Sequence, residues 1–200
     1  MAFAALGAAE VLRLYPDDET SRGLLRDAVS AIGTGSGDPA WPWPQPRLSY
    51  ANAALPEVLI AAGDALGDDR LLGKGLVMLR WLIDVETRDG HLSVTPVGGW
   101  GPGEPRPAFD QQPIEVAALA DACARAATLT ADPMWHEVVE ACATWFTGAN
   151  DAGVALYDPT SGGCCDGLTA YGRNDNQGAE STLAMISTML HVRRLDVVIA

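Results

Sequence analysis

Three stretches of this chain share one arrangement: an arginine, then amide or carboxylate side chains, then a glutamate in the first turn of an apolar helix. The stretches are residues 47–57, 106–115 and 173–180, and each ends on its glutamate. The glutamates are separated by 58 and then by 65 residues. An interval of this size holds two helices and their connections, so the spacing predicts one helical hairpin per unit. If the hairpins stack side by side, the three stretches lie at one end of the molecule. We call that end the mouth and expect the functional site there.

A second spacing supports the same unit. Asp68 precedes Trp81 by 13 residues, and Asp132 precedes Trp145 by 13. In both places an aspartate near the predicted start of a helix is followed by an apolar face that contains the tryptophan. An aspartate at that position accepts hydrogen bonds from the free backbone N–H groups of the first turn. The sequence therefore predicts a repeated order of loop, inner helix, short turn, outer helix and long loop.

Apolar periodicity predicts seven helices. They are expected at about residues 2–15, 19–32, 50–66, 69–86, 113–129, 133–146 and from 177 to beyond 189. The alternation of Val154 and Leu156 predicts a short strand, and the apolar residues 197–200 are given no structure. Two long connections, residues 91–107 and 148–176, have a length that favours a functional role. The predicted fold class is all-α, with repeated helical hairpins in a single domain spanning residues 1–200.

The composition excludes several kinds of protein. The net charge of −13, with only 13 Lys and Arg residues, argues against nucleic acid as a partner, because phosphate contacts need clustered basic side chains. No apolar run is long enough to span a membrane, and the first ten residues are expected to form a helix rather than a signal peptide. Cys123 and Cys142 fall within helical patterns and are expected in the core, and no Cys or His spacing fits a zinc site. We expect a cytoplasmic protein with no metal or cofactor.

Two glycine-rich segments interrupt the helices. Residues 33–39 break regular structure, and the alternating prolines of residues 41–46 predict an extended path on which Trp41 and Trp43 are expected to pack. Residues 98–103 contain several glycines but lack the lysine and the following helix of a phosphate-binding loop. A nucleotide-sugar transferase activity in this chain alone is therefore not expected.

Two motifs resemble a known group of proteins. They are residues 109–115, Phe-Asp-Gln-Gln-Pro-Ile-Glu, and residues 176–183, Asn-Gln-Gly-Ala-Glu-Ser-Thr-Leu. Both resemble an α/α-toroid region of bacterial, especially actinobacterial, proteins described as glycosyltransferases, and the resemblance covers the chain from about Trp41 onward. That region is similar in architecture to the six-hairpin glycosidases. The resemblance therefore implies a ring of inner and outer helices, with a carbohydrate-binding cleft at the mouth and Asp or Glu as catalytic acid and base.

The chain departs from a six-hairpin ring in its length. Six hairpins of this spacing need far more than 200 residues, and the chain holds about three and a half. A closed ring is therefore not expected from one chain. We expect a partial α/α toroid, which is a fragment of a longer protein, an open arc, or an arc completed by a second copy or a partner domain.

The polar residues of the mouth suggest sugar chemistry. Amide and carboxylate groups bind sugar hydroxyls, and aromatic side chains add large contact surfaces. Glycoside hydrolysis needs two carboxyl groups that flank the bond. The catalytic candidates are Asp110, Asp166 and Glu180, with Asp110 as the leading acid or base. The binding candidates are Trp100, Arg106, Gln111, Gln112, Tyr171, Arg173, Asn174, Asn176 and Gln177. The expected partner is a saccharide or a glycoconjugate.

Each candidate also has a structural interpretation. The three glutamates occupy helix starts that favour negative charge, and they could pair with Arg47, Arg106 and Arg173 to join adjacent hairpins. The amides of residues 174–177 could cap the seventh helix. Three hypotheses follow: an acid–base enzyme that acts on a glycan, a non-catalytic saccharide-binding module, and a structural arc that packs against a partner chain.

Overall fold

The computed structural model describes residues 1–199, with side chains described for residues 1–194. The described residues form seven α-helices: α1 (Ala2–Leu14), α2 (Glu19–Ile32), α3 (Ala54–Leu66), α4 (Asp69–Val85), α5 (Pro113–Leu129), α6 (Met134–Phe146) and α7 (Ala179–Ile199). They also form two short antiparallel hairpins. One pairs β1 (Thr87–Arg88) with β2 (His91–Leu92), and the other pairs β3 (Gly167–Thr169) with β4 (Gly172–Asn174). The protein is predominantly helical, as the apolar periodicity predicts.

The chain forms two compact units. The first comprises Met1–Pro46 and Ala53–Leu82, and the second comprises Arg47–Asn52 and the chain from Ile83 onward. Helix α4 therefore begins in the first unit and ends in the second. The interpretation of residues 1–200 as one domain stays a prediction.

In the first unit, α1, α2 and α3 pack against one another. Helix α1 contributes small buried side chains, Ala5, Ala8 and Ala9, which let neighbouring helices approach closely. The Asp18 carboxylate accepts a hydrogen bond from Ser21 N at 2.7 Å and caps the start of α2.

Helices α3 and α4 approach each other at two glycines. A Cβ atom on Gly63 would lie 2.5 Å from Leu72 N, and one on Gly75 would lie 2.8 Å from Ile60 Cγ1. Contacts this short are forbidden by van der Waals repulsion, so the missing side chains allow the two helices to come together. The sequence places both glycines inside helical patterns, where their cost in helix propensity is offset by this packing.

The prolines of residues 41–46 hold two tryptophans against α4. The ring centroid of Trp81 lies 5.0 Å from that of Trp41 and 5.8 Å from that of Trp43. Trp43 is fully buried. The expectation that these tryptophans pack is confirmed.

In the second unit, α5, α6 and α7 pack against one another. Helix α6 contributes the large buried side chains Trp135, Trp145 and Phe146. The thiols of Cys123 and Cys142 are fully buried, which confirms their expected place in the core.

Most of the predicted helix bounds are confirmed to within two residues. Helix α3 is the exception, because it begins at Ala54 instead of Tyr50. The backbone of Ala51 has a φ of 46°, and the N–H groups of Ala51 and Asn52 bind the side chain of Glu115 instead of helix carbonyls. This long-range contact overrides the local helical pattern.

Two shorter predictions differ in outcome. The capping role predicted for the paired aspartates is confirmed for Asp68, whose Oδ1 accepts from Leu71 N at 3.0 Å. Asp132 lies one residue before the N-cap Pro133, and its Oδ1 accepts from Met134 N, at the first residue of α6, at 3.1 Å. The strand predicted at residues 154–156 is wrong. Leu156 N donates to Phe146 O at the end of α6, so this segment follows the helix end and forms no strand ladder.

No helix among the described residues is long and apolar enough to cross a membrane. The backbone of α7 continues through residues 197–199 of the apolar end. Ala200 lies outside the described residues.

Candidate functional site

Residues 50–52 of the first stretch meet the second and third stretches in the second unit, at the starts of α5 and α7. Glu115, in the first turn of α5, accepts hydrogen bonds from Ala51 N at 2.5 Å, and from Asn52 N and Asn52 Nδ2 at 3.0 Å each. The hydroxyl of Tyr50 donates to Glu180 Oε2 at 3.1 Å, in the first turn of α7. Residues 50–52 therefore connect the starts of two helices.

Glu115 is a buried carboxyl group whose pKa lies well above its ordinary value. Burial and the nearby Glu86 carboxylate raise the pKa of Glu115 to about 8, against hydrogen bonds from Asn52 and Ala51 that act to lower it. Glu86 is also buried, and burial raises its pKa despite hydrogen bonds from Thr95 N and Thr95 Oγ1. The second unit thus contains two buried carboxyl groups that bind protein N–H and O–H donors.

Gln111 is fully buried and joins several elements. Its Oε1 accepts from Trp145 Nε1 at 3.2 Å, and its Nε2 donates to an Asp151 oxygen. Asp151 also accepts from Ser93 Oγ at 2.6 Å and lies 2.9 Å from His91 Nε2. Burial acts to raise the pKa of Asp151, but these hydrogen bonds outweigh it and hold the pKa below its usual value. Gln111, a predicted binding residue, is therefore engaged inside the protein.

Arg106 is half-buried and is also engaged. Its Nη2 donates to Ser93 O at 2.5 Å. Burial lowers the pKa of Arg106, while the negative charges of Glu86 and Asp151 oppose that change. The guanidinium therefore donates to a backbone carbonyl and interacts with the carboxyl groups of Glu86 and Asp151, so it is committed to groups within the protein.

Asp166, a predicted catalytic residue, caps α7. Its Oδ1 accepts from Gly178 N at 2.6 Å and from Ser181 Oγ at 2.7 Å, and its Oδ2 accepts from Asn176 Nδ2. These hydrogen bonds hold the pKa of Asp166 below its usual value. A general acid needs a raised pKa, so the environment of Asp166 suits a structural carboxylate.

The other amides before α7 bind neighbouring loop residues. Gln177 Nε2 donates to Asp158 Oδ2 at 3.0 Å, and Gln177 Oε1 accepts from Ser161 Oγ at 2.6 Å. Asn174 Oδ1 accepts from Asn176 N at 3.1 Å. The side chains of Asn176 and Gln177 therefore bind Asp166, Asp158 and Ser161 instead of the first-turn N–H groups of α7, so the predicted capping of that helix by residues 174–177 takes a different form.

The hairpin of β3 and β4 is attached to the segment before α5. Gln111 and Leu168 exchange two backbone hydrogen bonds of 2.9 Å, and Leu168 pairs with Arg173 across the hairpin. Arg173 Nε donates to Asp175 Oδ1 at 3.0 Å, and Arg173 Nη1 donates to Ala155 O at 2.9 Å. The hairpin therefore lies beside the residue that follows Asp110.

A smaller group of predicted residues is exposed. Tyr171 is completely exposed at the turn of the hairpin, and Tyr50 is 53% exposed. The carboxylate of Asp110 is exposed and makes no hydrogen bond or ion pair with the part of the chain that the structure describes. Glu180 is exposed and keeps one oxygen for the hydroxyl of Tyr50. Asn174 is exposed at the end of β4.

Two further candidates occupy intermediate positions. Trp100 is half-buried, its backbone pairs with Leu48, and its Nε1 donates to Glu104 O at 3.0 Å. Gln112 is half-buried at the N-cap of α5, where its side chain makes no capping hydrogen bond.

The predicted pairing of the helix-start glutamates with the loop arginines takes a different form. Glu115 binds backbone and amide donors, and Glu180 binds Tyr50. Arg47 pairs with Glu104, which lies outside the helix starts. Loop residues therefore join the helix starts through hydrogen bonds where the sequence suggested ion pairs.

Sequence reasoning missed Glu86 and Asp151. Asp151 lies in an Asn-Asp-Ala-Gly turn within the long connection of residues 148–176, and a polar turn in a functional-length loop is a signal that could have found it. Glu86 follows an ordinary helix end and carries no such signal.

Among the described residues, no group of three or more His, Cys, Asp or Glu side chains is placed to hold a metal ion. No family model matches the chain, and no curated protein is significantly similar to it in sequence.

Proposed function

We propose that this chain is a saccharide-binding module without catalysis of its own. The binding face would consist of the exposed side chains around the hairpin and the start of α7: Tyr50, Asp110, Tyr171, Asn174 and Glu180. The ligand would be a saccharide or the glycan part of a glycoconjugate.

The observation that carries this proposal is that some mouth side chains are committed to protein groups, whereas others are exposed and keep ring surface or hydrogen-bonding atoms that the protein does not use. Glycoside hydrolysis needs a carboxyl pair about 5–9.5 Å apart across the bond, one of them with a raised pKa. Asp166 is committed to capping α7, and Glu115, whose pKa is raised, is buried against backbone donors. The sequence suggests Asp110 with Asp166 or Glu180 as the carboxyl pair. Asp166 is engaged at the start of α7, and one oxygen of Glu180 accepts from Tyr50, which favours binding over acid–base work.

The exposed groups suit recognition. Tyr171 presents a whole ring to solvent, and Tyr50 presents half of its surface. An exposed aromatic ring without a protein contact is unfavourable in water, and a sugar's C–H surface would cover it. Burial and the hydrogen bond to Glu180 raise the pKa of Tyr50, so the hydroxyl stays protonated and donates to that carboxylate. The remaining oxygens of Glu180 and Asp110 are acceptors for sugar hydroxyls.

We further propose that the helices form part of an α/α toroid of the six-hairpin glycosidase-like kind, in a module that accompanies a glycosyltransferase. The helix order, and the hydrogen bonds that Asp68 and Asp132 accept from the first turns of α4 and α6, support this proposal. A second copy or a partner domain would complete the ring. The exposed Leu183, Ile186 and Leu190, which recur on one side of α7, provide apolar surface for that contact.

The experiment is a thermal-shift screen of the purified chain against mono- and oligosaccharides. A ligand that binds only the folded state raises the melting temperature. We expect one class of saccharide to do so, and Tyr171→Ala to weaken binding by about tenfold through loss of ring contact.

The matched control is Tyr15→Ala, which removes another exposed ring from the first unit. It should leave saccharide binding unchanged. Equal weakening by both variants, or a complete lack of binding across the panel, would contradict the proposal. If the chain releases cleaved sugar and Asp110→Asn abolishes that release, the acid–base enzyme hypothesis is favoured instead.

A further inference from the structure

A second candidate site lies in the first unit, formed by residues other than those of the saccharide face. The glycine-rich loop that follows α2 and one side of α4 line a cleft of about 770 Å³. The loop contributes residues 34–39, and α4 contributes Arg70, Lys74, Val77 and Met78 among others. A volume of this size is in the range of small-molecule sites.

The cleft concentrates positive charge in an acidic protein. The chain carries a net charge of −13 with 13 basic residues, and two of these, Arg70 and Lys74, line the cleft one helical turn apart. Lys74 Nζ donates to Thr34 Oγ1 at 2.8 Å, so it is directed at the loop. Arg70 is exposed and makes no hydrogen bond or ion pair within the part of the chain that the structure describes. The one carboxylate of the lining, Asp38, accepts from Ala40 N at 2.9 Å.

The loop adds backbone donors. Gly35 and Gly37 have φ values of 91° and 80°, while Thr34 and Ser36 do not have positive φ. Backbone N–H groups in such a loop are donors for an anion that enters the cleft. Within the described residues, the N–H groups of residues 35–37 have no hydrogen-bond acceptor. A Cβ atom on Gly35 would lie 2.4 Å from Pro42 O, so the loop path requires glycine there.

The rest of the cleft is apolar. Val77 lines it with 59% of its surface exposed, and Met78, Pro39 and Pro42 complete the apolar lining. A ligand that fits must therefore combine an anionic head, for the two cations and the free N–H groups, with an apolar body. A purely polar anion would leave the apolar side chain of Val77 exposed to solvent.

We propose that this cleft binds a soluble phosphate monoester that carries an apolar substituent. The phosphate contacts Arg70, Lys74 and the N–H groups of residues 35–37. Guanidinium, ammonium and convergent backbone N–H groups are the donors that proteins use for phosphate. The apolar substituent covers Val77, whose side chain is exposed in the cleft.

Octyl phosphate, kept below its micelle-forming concentration, is the first probe, with inorganic phosphate and octanol as the two partial ligands. Calorimetric titration should show tighter binding of octyl phosphate than of either partial ligand, and the affinity should fall as salt is added. Arg70→Gln and Lys74→Gln should each weaken binding by about three- to fivefold, because both side chains are exposed. Val77→Ser should weaken the binding of octyl phosphate and leave the affinity for inorganic phosphate unchanged.

Arg26→Gln is the matched control, since it removes an exposed positive charge from α2 outside the cleft lining. It should leave the affinity unchanged, and equal melting temperatures would show that all the variants fold. The proposal is overturned if octyl phosphate does not bind, if octanol binds as tightly, or if Arg26→Gln weakens binding as much as Arg70→Gln. Co-sedimentation with phosphatidic acid vesicles that depends on Arg70 and Lys74 would overturn the assignment to a soluble ester.

Discussion

Glu115 is a single residue whose protonation links the stability of the fold to pH. In the unfolded chain its pKa returns to the model-compound value of 4.5, whereas burial and Glu86 raise it to about 8 in the folded state. The folded state therefore keeps a proton that the unfolded state has lost. We expect the free energy of unfolding to fall as the pH rises from about 4.5 to about 8, by at most about 1.4 kcal/mol per pH unit from this group.

The test is urea denaturation at several pH values in the parent and in Glu115→Gln. The variant carries no titrating group at this position, so its pH dependence should be flatter. It should also be less stable at pH 5 by about 1–3 kcal/mol, because one amide oxygen cannot accept from all the donors on Ala51 and Asn52. A free energy of unfolding that rises between pH 5 and 8, or an unchanged slope in the variant, would contradict this interpretation.

Asp166 is expected to matter for stability. Replacing it with Asn puts an N–H₂ group opposite the N–H of Gly178 or the amide of Asn176, and should lower the free energy of unfolding by about 1–2 kcal/mol. Chemical denaturation measures the change.

Asp175→Asn is the control for Asp166→Asn. Asp175 is 83% exposed and pairs with the exposed Arg173, so its loss should change stability by less than about 0.5 kcal/mol. If the two variants are equally stable, Asp166 does not support α7 and its catalytic role must be considered again.

At the residue scale, the sequence did not separate the exposed residues of the mouth from the buried ones. Asp110 and Gln111 are adjacent and equally polar, yet Asp110 is exposed and Gln111 is fully buried. The difference depends on Trp145 and Asp151, which lie 34 and 40 residues away in sequence. Such long-range hydrogen bonds leave no local pattern.

At the scale of helices, the contact between α3 and α4 depends on Gly63 and Gly75. In Gly75→Ala the new methyl group would meet Ile60 Cγ1 at 2.8 Å and Ile60 N at 2.9 Å. Backbone atoms cannot move aside without separating the helices, so we expect a loss of about 1–3 kcal/mol in the free energy of unfolding. Thermal or urea denaturation provides the measurement.

Gly73→Ala is the matched control in the same helix, because a Cβ atom there meets nothing within 4 Å. The better helix propensity of alanine should raise stability by up to about 1 kcal/mol. Equal destabilisation by both substitutions would mean that α4 does not tolerate alanine at either glycine, and that the contact with α3 does not cause the effect.

The helices were predictable because their signals are local. Apolar periodicity predicts α2 and α5 with their observed bounds, and Asp68 and Asp132 lie at the starts of α4 and α6. The start of α3 and the β3–β4 hairpin depend on partners far along the chain, Glu115 and Gln111, so no local pattern could predict them.

For the whole molecule, the central claim is that the exposed residues around α7 bind a saccharide without cleaving it. The net charge of −13 argues against nucleic acid as the partner. The engaged states of Asp166 and Glu115 favour binding over hydrolysis.

The most direct measurement is a two-dimensional NMR titration of the isotopically labelled chain with the saccharide panel, in which the sugar signals are followed over time. We predict shift changes that cluster at Tyr50, Asp110 and residues 171–180, while the sugar remains intact. Shift changes confined to other residues, or no changes with any saccharide, would contradict the binding claim. Steady conversion of the sugar would contradict the claim that the module is not catalytic.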